Sequence, residues 1–144
     1  MKNSSESGSA GQRWKKLPEA VVLDSSAILA LFFNEPGGRI VAPLVEGALL
    51  STVNLVEVHS RMIERDAQPE QAWGWIQSLE CQICIFSDKQ ARVAAELKQI
   101  TRPYGLSLGD RACLALAMER KATVYTTDKV WKQLDLGIEI VAIR

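Results

Sequence analysis

Four carboxylates carry the chemistry available to this chain: Asp24, Glu57, Asp110 and Asp128. Asp24 ends the apolar run Ala20-Val21-Val22-Leu23, and Glu57 lies in a helical segment after Leu49-Leu50-Ser51-Thr52. Asp110 opens an Ala/Leu-rich helix, and Asp128 follows Val124-Tyr125-Thr126-Thr127. Two carboxylates about 4 Å apart repel by about 4 kcal/mol at an effective dielectric near 20, so four that converge must protonate, splay apart or share a cation. An all-oxygen donor set without His or Cys favours Mg²⁺ or Mn²⁺ over zinc, and Mg²⁺ keeps waters and recruits substrate phosphates. Phosphodiester hydrolysis is the chemistry that suits such a set.

Each acid also has a plainer reading. Asp24 and Asp128 each stand between a strand and a helical run, where an N-cap belongs. Ser107-Leu108-Gly109-Asp110 has the spacing of a capping box with Asp in place of the usual Glu or Gln. Glu57 could pair with Arg61 one turn on. Co-occurrence at four crevice positions favours a site, because carboxylate clusters are costly and usually serve one.

The elements that must position these acids alternate between strands and helices. Strands are expected at 20–23, 48–51, 82–86, 123–126 and 138–143. Helices are expected from Ser25 to about Phe33, Arg39 to Glu46, Val53 to Arg65, Pro69 to Leu79, Asp88 to about Thr101 and Leu108 to Arg120, with a short helix around Lys129 to Leu134. Asn34-Glu35-Pro36-Gly37-Gly38 breaks the first helix, and Pro103 and Gly105 stop the fifth. Together they predict an α/β domain with a mostly parallel sheet between helical layers, whose ligands bind beyond the carboxyl ends of the strands.

Composition narrows the class. The 144 residues suit one domain, and a zero formal net charge with 24% charged and 47% hydrophobic residues is that of an ordinary soluble protein, so nucleic-acid contact would need a local basic patch. Residues 1–17 are polar and lack an apolar period, predicting a disordered tail before a domain at 18–144. No apolar stretch is long enough for a membrane span or a secretory signal, so the expected compartment is the cytoplasm. Three cysteines and no signal argue against a disulfide framework; Cys81-Gln82-Ile83-Cys84 reads as strand with structural thiols, and Cys113 as core. The sole histidine, His59, cannot serve as both general acid and general base, which disfavours a metal-free ribonuclease mechanism, and it reads as structural. The chain has no P-loop and no dinucleotide fingerprint.

Four segments carry a family resemblance: Val21-Val22-Leu23-Asp24-Ser25-Ser26-Ala27, Thr52-Val53-Asn54-Leu55-Val56-Glu57-Val58, Leu106 to Ala115 around Gly109-Asp110-Arg111, and Val124-Tyr125-Thr126-Thr127-Asp128. In order, they resemble the successive motifs of PIN-domain ribonucleases, and within that family the VapC-type toxins of toxin-antitoxin systems. The resemblance spans about residues 20–144 and is specific as a set. It implies a three-layer α/β/α PIN-like domain, Mg²⁺- or Mn²⁺-dependent RNA cleavage, frequent homodimers and a cognate antitoxin that covers the acidic site. Asp24 and Asp110 then become direct metal ligands, with Glu57 and Asp128 completing the cluster directly or through water. Ser25, Asn54 and Thr127 match polar positions beside the acids, either orienting ligands and water or acting as caps.

Arg111 and Lys129, each next to an acid, are the basic residues expected near an RNA phosphate. Trp73 reads first as core, and Leu31, Phe32, Phe33, Trp73 and Trp75 are alternative contacts for an antitoxin. Two other readings remain open: a PIN-fold module that binds RNA or a partner without cleaving, and a PIN nuclease of RNA processing with no toxin role.

Overall fold

A computed structural model describes residues 20–144. The tail expected at 1–17, and the domain boundary at residue 18, lie outside the described residues. Five short strands, β1 (Val21–Leu23), β2 (Leu49–Ser51), β3 (Gln82–Cys84), β4 (Thr123–Thr126) and β5 (Ile140–Ala142), pair in the order β3-β2-β1-β4-β5. Every pairing is parallel, so each connection must return along the sheet, and helices do so for the first four strands. They are α1 (Ser25–Phe32), α2 (Gly38–Val41), α3 (Thr52–Glu64), α4 (Pro69–Ser78), α5 (Asp88–Thr101) and α6 (Leu108–Arg120).

Strand alternation sends side chains to two cores. Leu23, Leu50 and Tyr125 face a cluster with Ile28, Val58, Met62 and Ile76 from α1, α3 and α4. Val22, Leu49, Cys84 and Val124 face the other, with Leu97 of α5 and Leu114 and Leu116 of α6. The three-layer α/β/α architecture follows. Six consecutive residues of α6, Ala112 to Ala117, are buried, so this helix is apolar on nearly all sides and runs through the interior rather than over it.

Several elements are shorter than the sequence suggests. The helix expected over Arg39–Glu46 is α2 followed by a 3-10 turn at Ala42–Leu44, because Pro43 cannot continue the α-helical hydrogen bonds. The last short helix is also 3-10, Lys129–Gln133. Strands β3 and β5, the sheet edges, are three residues each, as are the interior β1 and β2. Gly105, at φ 68°, closes the 3-10 turn Arg102–Tyr104 in the left-handed region and releases the chain toward α6.

Trp73 departs from the core reading. Ala72 and Ile76 form the buried stripe of α4, while Trp73 and Trp75 remain 39% and 43% exposed. The Trp73 ring lies 5.7 Å from that of His59, whose Nε2 is 2.9 Å from the Pro69 carbonyl, so the histidine joins α3 to α4 as expected of a structural residue.

Candidate active site: an acidic cleft at the strand ends

Strand order places the acids. The sheet winds outward in both directions from β1, so the point beyond its carboxyl end is the topological switch where α/β folds bind ligands. Asp24 follows β1, Asp128 follows β4 and Glu57 lies one turn into α3 after β2, the three central strands of the sheet. Asp110 enters from α6, whose first turn packs beside that of α3.

Asp24 is buried, 4% exposed, at the N-cap of α1. Its Oδ1 accepts from the Ala27 backbone N–H at 2.9 Å and the Ser26 hydroxyl at 2.7 Å. Its Oδ2 accepts from the Thr126 hydroxyl at 2.7 Å. The parallel register explains the last contact: Leu23 stands opposite Tyr125, so Asp24 meets Thr126 one step on. Burial pushes the Asp24 carboxyl from 3.8 up to about 6, against these hydrogen bonds, and the charge of Asp110 pushes the same way.

Asp110 stands in the first turn of α6. It completes a capping box, with its N–H donating to Ser107 Oγ at 3.2 Å and its Oδ2 accepting from the Ser107 N–H at 2.9 Å. Burial raises its pKa, the Ser107 bonds lower it, and the charges of Glu57 and Asp128 raise it again. Asp128 caps the following 3-10 turn, Oδ1 accepting from the Val130 N–H at 3.0 Å, while its own N–H donates to Thr126 Oγ1 at 3.1 Å. Glu57 Oε1 accepts from Asn54 Nδ2 at 2.9 Å. Cys113, three residues after Asp110, is buried, its thiol pushed well above the usual range by burial and then by the charges of Asp24, Asp110 and Glu57.

The capping expected of Asp24, Asp110 and Asp128 is present, and a cap fixes each carboxylate while leaving lone pairs free. Arg61 pairs with Glu64 at 3.3 Å rather than with Glu57. Among the described residues none of the four acids is in an ion pair. The lone pairs left are on Asp110 Oδ1, Asp128 Oδ2, Glu57 and Asp24 Oδ2, an all-oxygen set suited to a hard cation. Among the described residues no three His, Cys, Asp or Glu side chains form a ready-made metal cage.

Of the supporting residues singled out in the sequence, Asn54 touches Glu57, whereas Ser25 and Thr127 sit one position from the side chains that hold Asp24. Ser26 and Thr126 do that work, and Thr127 contributes its backbone N–H to Ser26 Oγ at 3.0 Å. Strand parity across β1 and β4 was the available signal for Thr126. Lys129 is exposed beside Asp128. Arg111 instead donates from Nη1 to the Ala94 carbonyl at 2.8 Å and leaves Nε buried without a partner, a stitch between α5 and α6 rather than a free cation. Cys81 and Cys84 are both free; Cys84 packs in one core and Cys81 against the other. Burial raises the Cys81 thiol to about 11, which suits an inert group and not a redox pair.

The model of the PIN domain family matches residues 21–136, four-fifths of the chain, and takes in all four acids. The chain belongs to the PIN domain family. Membership supports a nuclease, and hence hydrolysis, as the chemistry of this PIN domain's acidic cleft. No curated protein sequence matches it. Among solved structures it is similar to a toxin-antitoxin complex from Klebsiella pneumoniae, at 18% identity and a TM-score of 0.68, with 87% of this chain and 98% of that chain covered. It is also similar to DNA-bound VapBC from Salmonella typhimurium, at 16% identity and a TM-score of 0.67, with 88% and 100% covered. VapBC-5 from Mycobacterium tuberculosis is similar at 23% identity and a TM-score of 0.58, with 86% and 98% covered. At these identities the likeness is one of fold, and it spans nearly all of each neighbour.

Proposed function

We propose that this PIN domain is a Mg²⁺- or Mn²⁺-dependent endoribonuclease acting as the toxin of a toxin-antitoxin pair. The observation that carries the reading is a buried carboxylate, Asp24, that feels the charge of Asp110, which in turn feels Glu57 and Asp128, with no cationic side chain paired to any of them among the described residues. A site that raises the pKa of its own acids is paid for by what it binds. Asp24 and Asp110 would hold the cation, with Glu57 and Asp128 beside them.

A bound Mg²⁺ or Mn²⁺ supplies a water of lowered pKa and charge stabilisation for the transferring phosphate. The chain's own contribution is orientation. Ser26 and Thr126 fix both oxygens of Asp24, the capping box fixes Asp110, and Asn54 fixes Glu57, so little reorganisation is left for the reaction itself. Lys129, exposed beside Asp128, would meet an RNA phosphate.

The toxin role is supported by neighbours whose structures are described as toxin-antitoxin complexes. An antitoxin would find a groove of about 350 Å³ that pairs the apolar Phe32, Phe33 and Trp75 with the polar Arg65, Asp66 and Gln71, the Arg65 guanidinium standing 4.2 Å above the Phe33 ring. Exposed Val56, Ile85 and Leu108 offer apolar surface for a homodimer. Among the described residues no helix is long and apolar enough to cross a membrane.

The test is cleavage of labelled single-stranded and structured RNAs by the partner-free protein in Mg²⁺, Mn²⁺ and EDTA, beside Asp110→Asn. Metal-dependent cleavage lost in the variant supports the nuclease. Metal-dependent RNA binding without cleavage moves the assignment to a binding module, and cleavage that survives EDTA and the substitution overturns the mechanism.

A further inference from the structure

Glycine at position 109 has no conformational reason to be there. It is the second residue of α6, its φ is not positive, and glycine is among the poorest helix formers. Its backbone needs nothing that alanine lacks. What it does provide is room: a Cβ built on Gly109 would fall within 3.0 Å of Oε2, Cδ and Oε1 of Glu57, that is, inside the whole carboxyl group. Glu57 belongs to α3, and its side chain lies across the first turn of the neighbouring helix in the space a side chain at 109 would fill.

Asn54 closes the arrangement from below. It is 1% exposed, and its Nδ2 donates both to Glu57 Oε1 at 2.9 Å and, across 55 positions of sequence, to the Gly109 carbonyl at 3.1 Å. Two acceptors at one end of the amide fix its orientation, since the flipped form would set its oxygen against a carboxylate and a carbonyl. The cost appears at the other end, where Asn54 Oδ1 is buried without a partner. A buried acceptor left unpaired is sustained when something outweighs it, and here that is the double donation to Glu57 and Gly109.

We propose that Gly109 and Asn54 are positioning residues for Glu57, forming a seat that holds its carboxylate against the start of α6, one residue from Asp110. The inference rests on the nuclease reading for its consequence, though not for its geometry. The seat links α3 to α6, so the first-turn packing of the two helices sets how far Glu57 stands from Asp110. Outer groups that orient ligands typically change metal affinity or activity by about 10- to 100-fold when lost.

The full chain is compared with Gly109→Ala, Glu57→Asp, the double variant and Asn54→Leu. Melting in EDTA reports the fold, Mn²⁺ titration followed by thermal shift reports metal binding, and RNA cleavage reports kcat and KM separately. Gly109→Ala is expected to melt no lower than the parent, because the clash falls on the movable end of a side chain. Its Mn²⁺ midpoint should rise and its kcat fall by about tenfold or more, with KM for RNA held. Asn54→Leu should do the same.

The diagnostic result is rescue. Aspartate is one methylene shorter and clears the added methyl, so Gly109→Ala/Glu57→Asp should bind Mn²⁺ more tightly than the product of the two single losses allows. Parent-like Mn²⁺ binding and kcat in Gly109→Ala, or losses that simply multiply, would overturn the seat. If the parent neither cleaves RNA nor binds Mn²⁺, the nuclease reading fails and melting decides the seat alone. Effects of Asn54→Leu and Glu57→Leu on the EDTA melt that are not additive support it, and additive effects overturn it.

Discussion

Asp24→Asn should make the metal-free protein more stable while removing its activity. The carboxyl has a pKa of about 6 in the fold against an ordinary value of 3.8, so holding it ionised at neutral pH costs about 3 kcal/mol. The sign follows from proton counting. Between those two values the folded state binds the proton that the unfolded state has released, so the parent loses stability as pH rises from about 4 to 6 and stays at that level above. Asparagine carries no charge at any pH. Its oxygen can keep the bonds from Ala27 and Ser26, but its amide must face Thr126, whose hydroxyl now has to accept while it also serves the Asp128 N–H. Reversing that bond costs about 1 kcal/mol, leaving a net gain of roughly 2 kcal/mol at pH 7.5. For a domain of this size that is a rise in Tm of roughly 6 °C. Thermal or urea melts in EDTA from pH 4 to 8 would show the variant's advantage opening above pH 4 and flat above about pH 6.5. Mg²⁺ should then narrow the gap, because it stabilises only the protein that binds it. A variant less stable than the parent at pH 7.5, or a difference that does not change with pH, would refute the account of Asp24 as a strained buried anion.

Thr126→Val, which takes the donor from Asp24 Oδ2 and the acceptor from the Asp128 N–H, should lower stability by about 1–3 kcal/mol in urea melts and depress cleavage, with Thr126→Ser restoring most of both. Phe33→Ala and Trp75→Ala, on the groove beside α1 and α4, should weaken capture of a co-expressed antitoxin at least tenfold in a pull-down or calorimetric titration while leaving RNA cleavage by the free protein unchanged. Thiol labelling of the folded protein at pH 7 should be slow at Cys81, Cys84 and Cys113 alike and rapid in urea, since Cys84 and Cys113 are buried and burial holds the Cys81 thiol near 11; fast native labelling at Cys81 would contradict its environment.

The same groups that cap helices here gather into the acidic cleft, and this follows from where strand ends lead. A carboxylate at an N-cap is held by backbone N–H groups, which position it without neutralising it. Asp24 and Asp128 are fixed in this way, and Asp110, third in α6, by the N–H of its N-cap Ser107, so their repulsion is built into secondary structure rather than left to flexible side chains. Folding thus tolerates a cluster that free side chains would disperse.

The sequence by itself determined the alternation of strands and helices, because apolar periodicity and the breaks at Pro and Gly are local. It also singled out the four acids, since their types and places at element ends can be read along the chain. Only the tertiary structure decided that Asp110 feels the charges of Glu57 and Asp128, because strand order and helix crossing are long-range. Strand register decided that Thr126, not Thr127, holds Asp24; a shift of one residue turns a side chain to the other face. Packing against α5 took Arg111 away from the phosphate role its neighbour suggested, and the narrow buried stripe of α4 left Trp73 at the surface. The space that makes Gly109 necessary belongs to a residue of another helix, and no property of position 109 read along the chain records it.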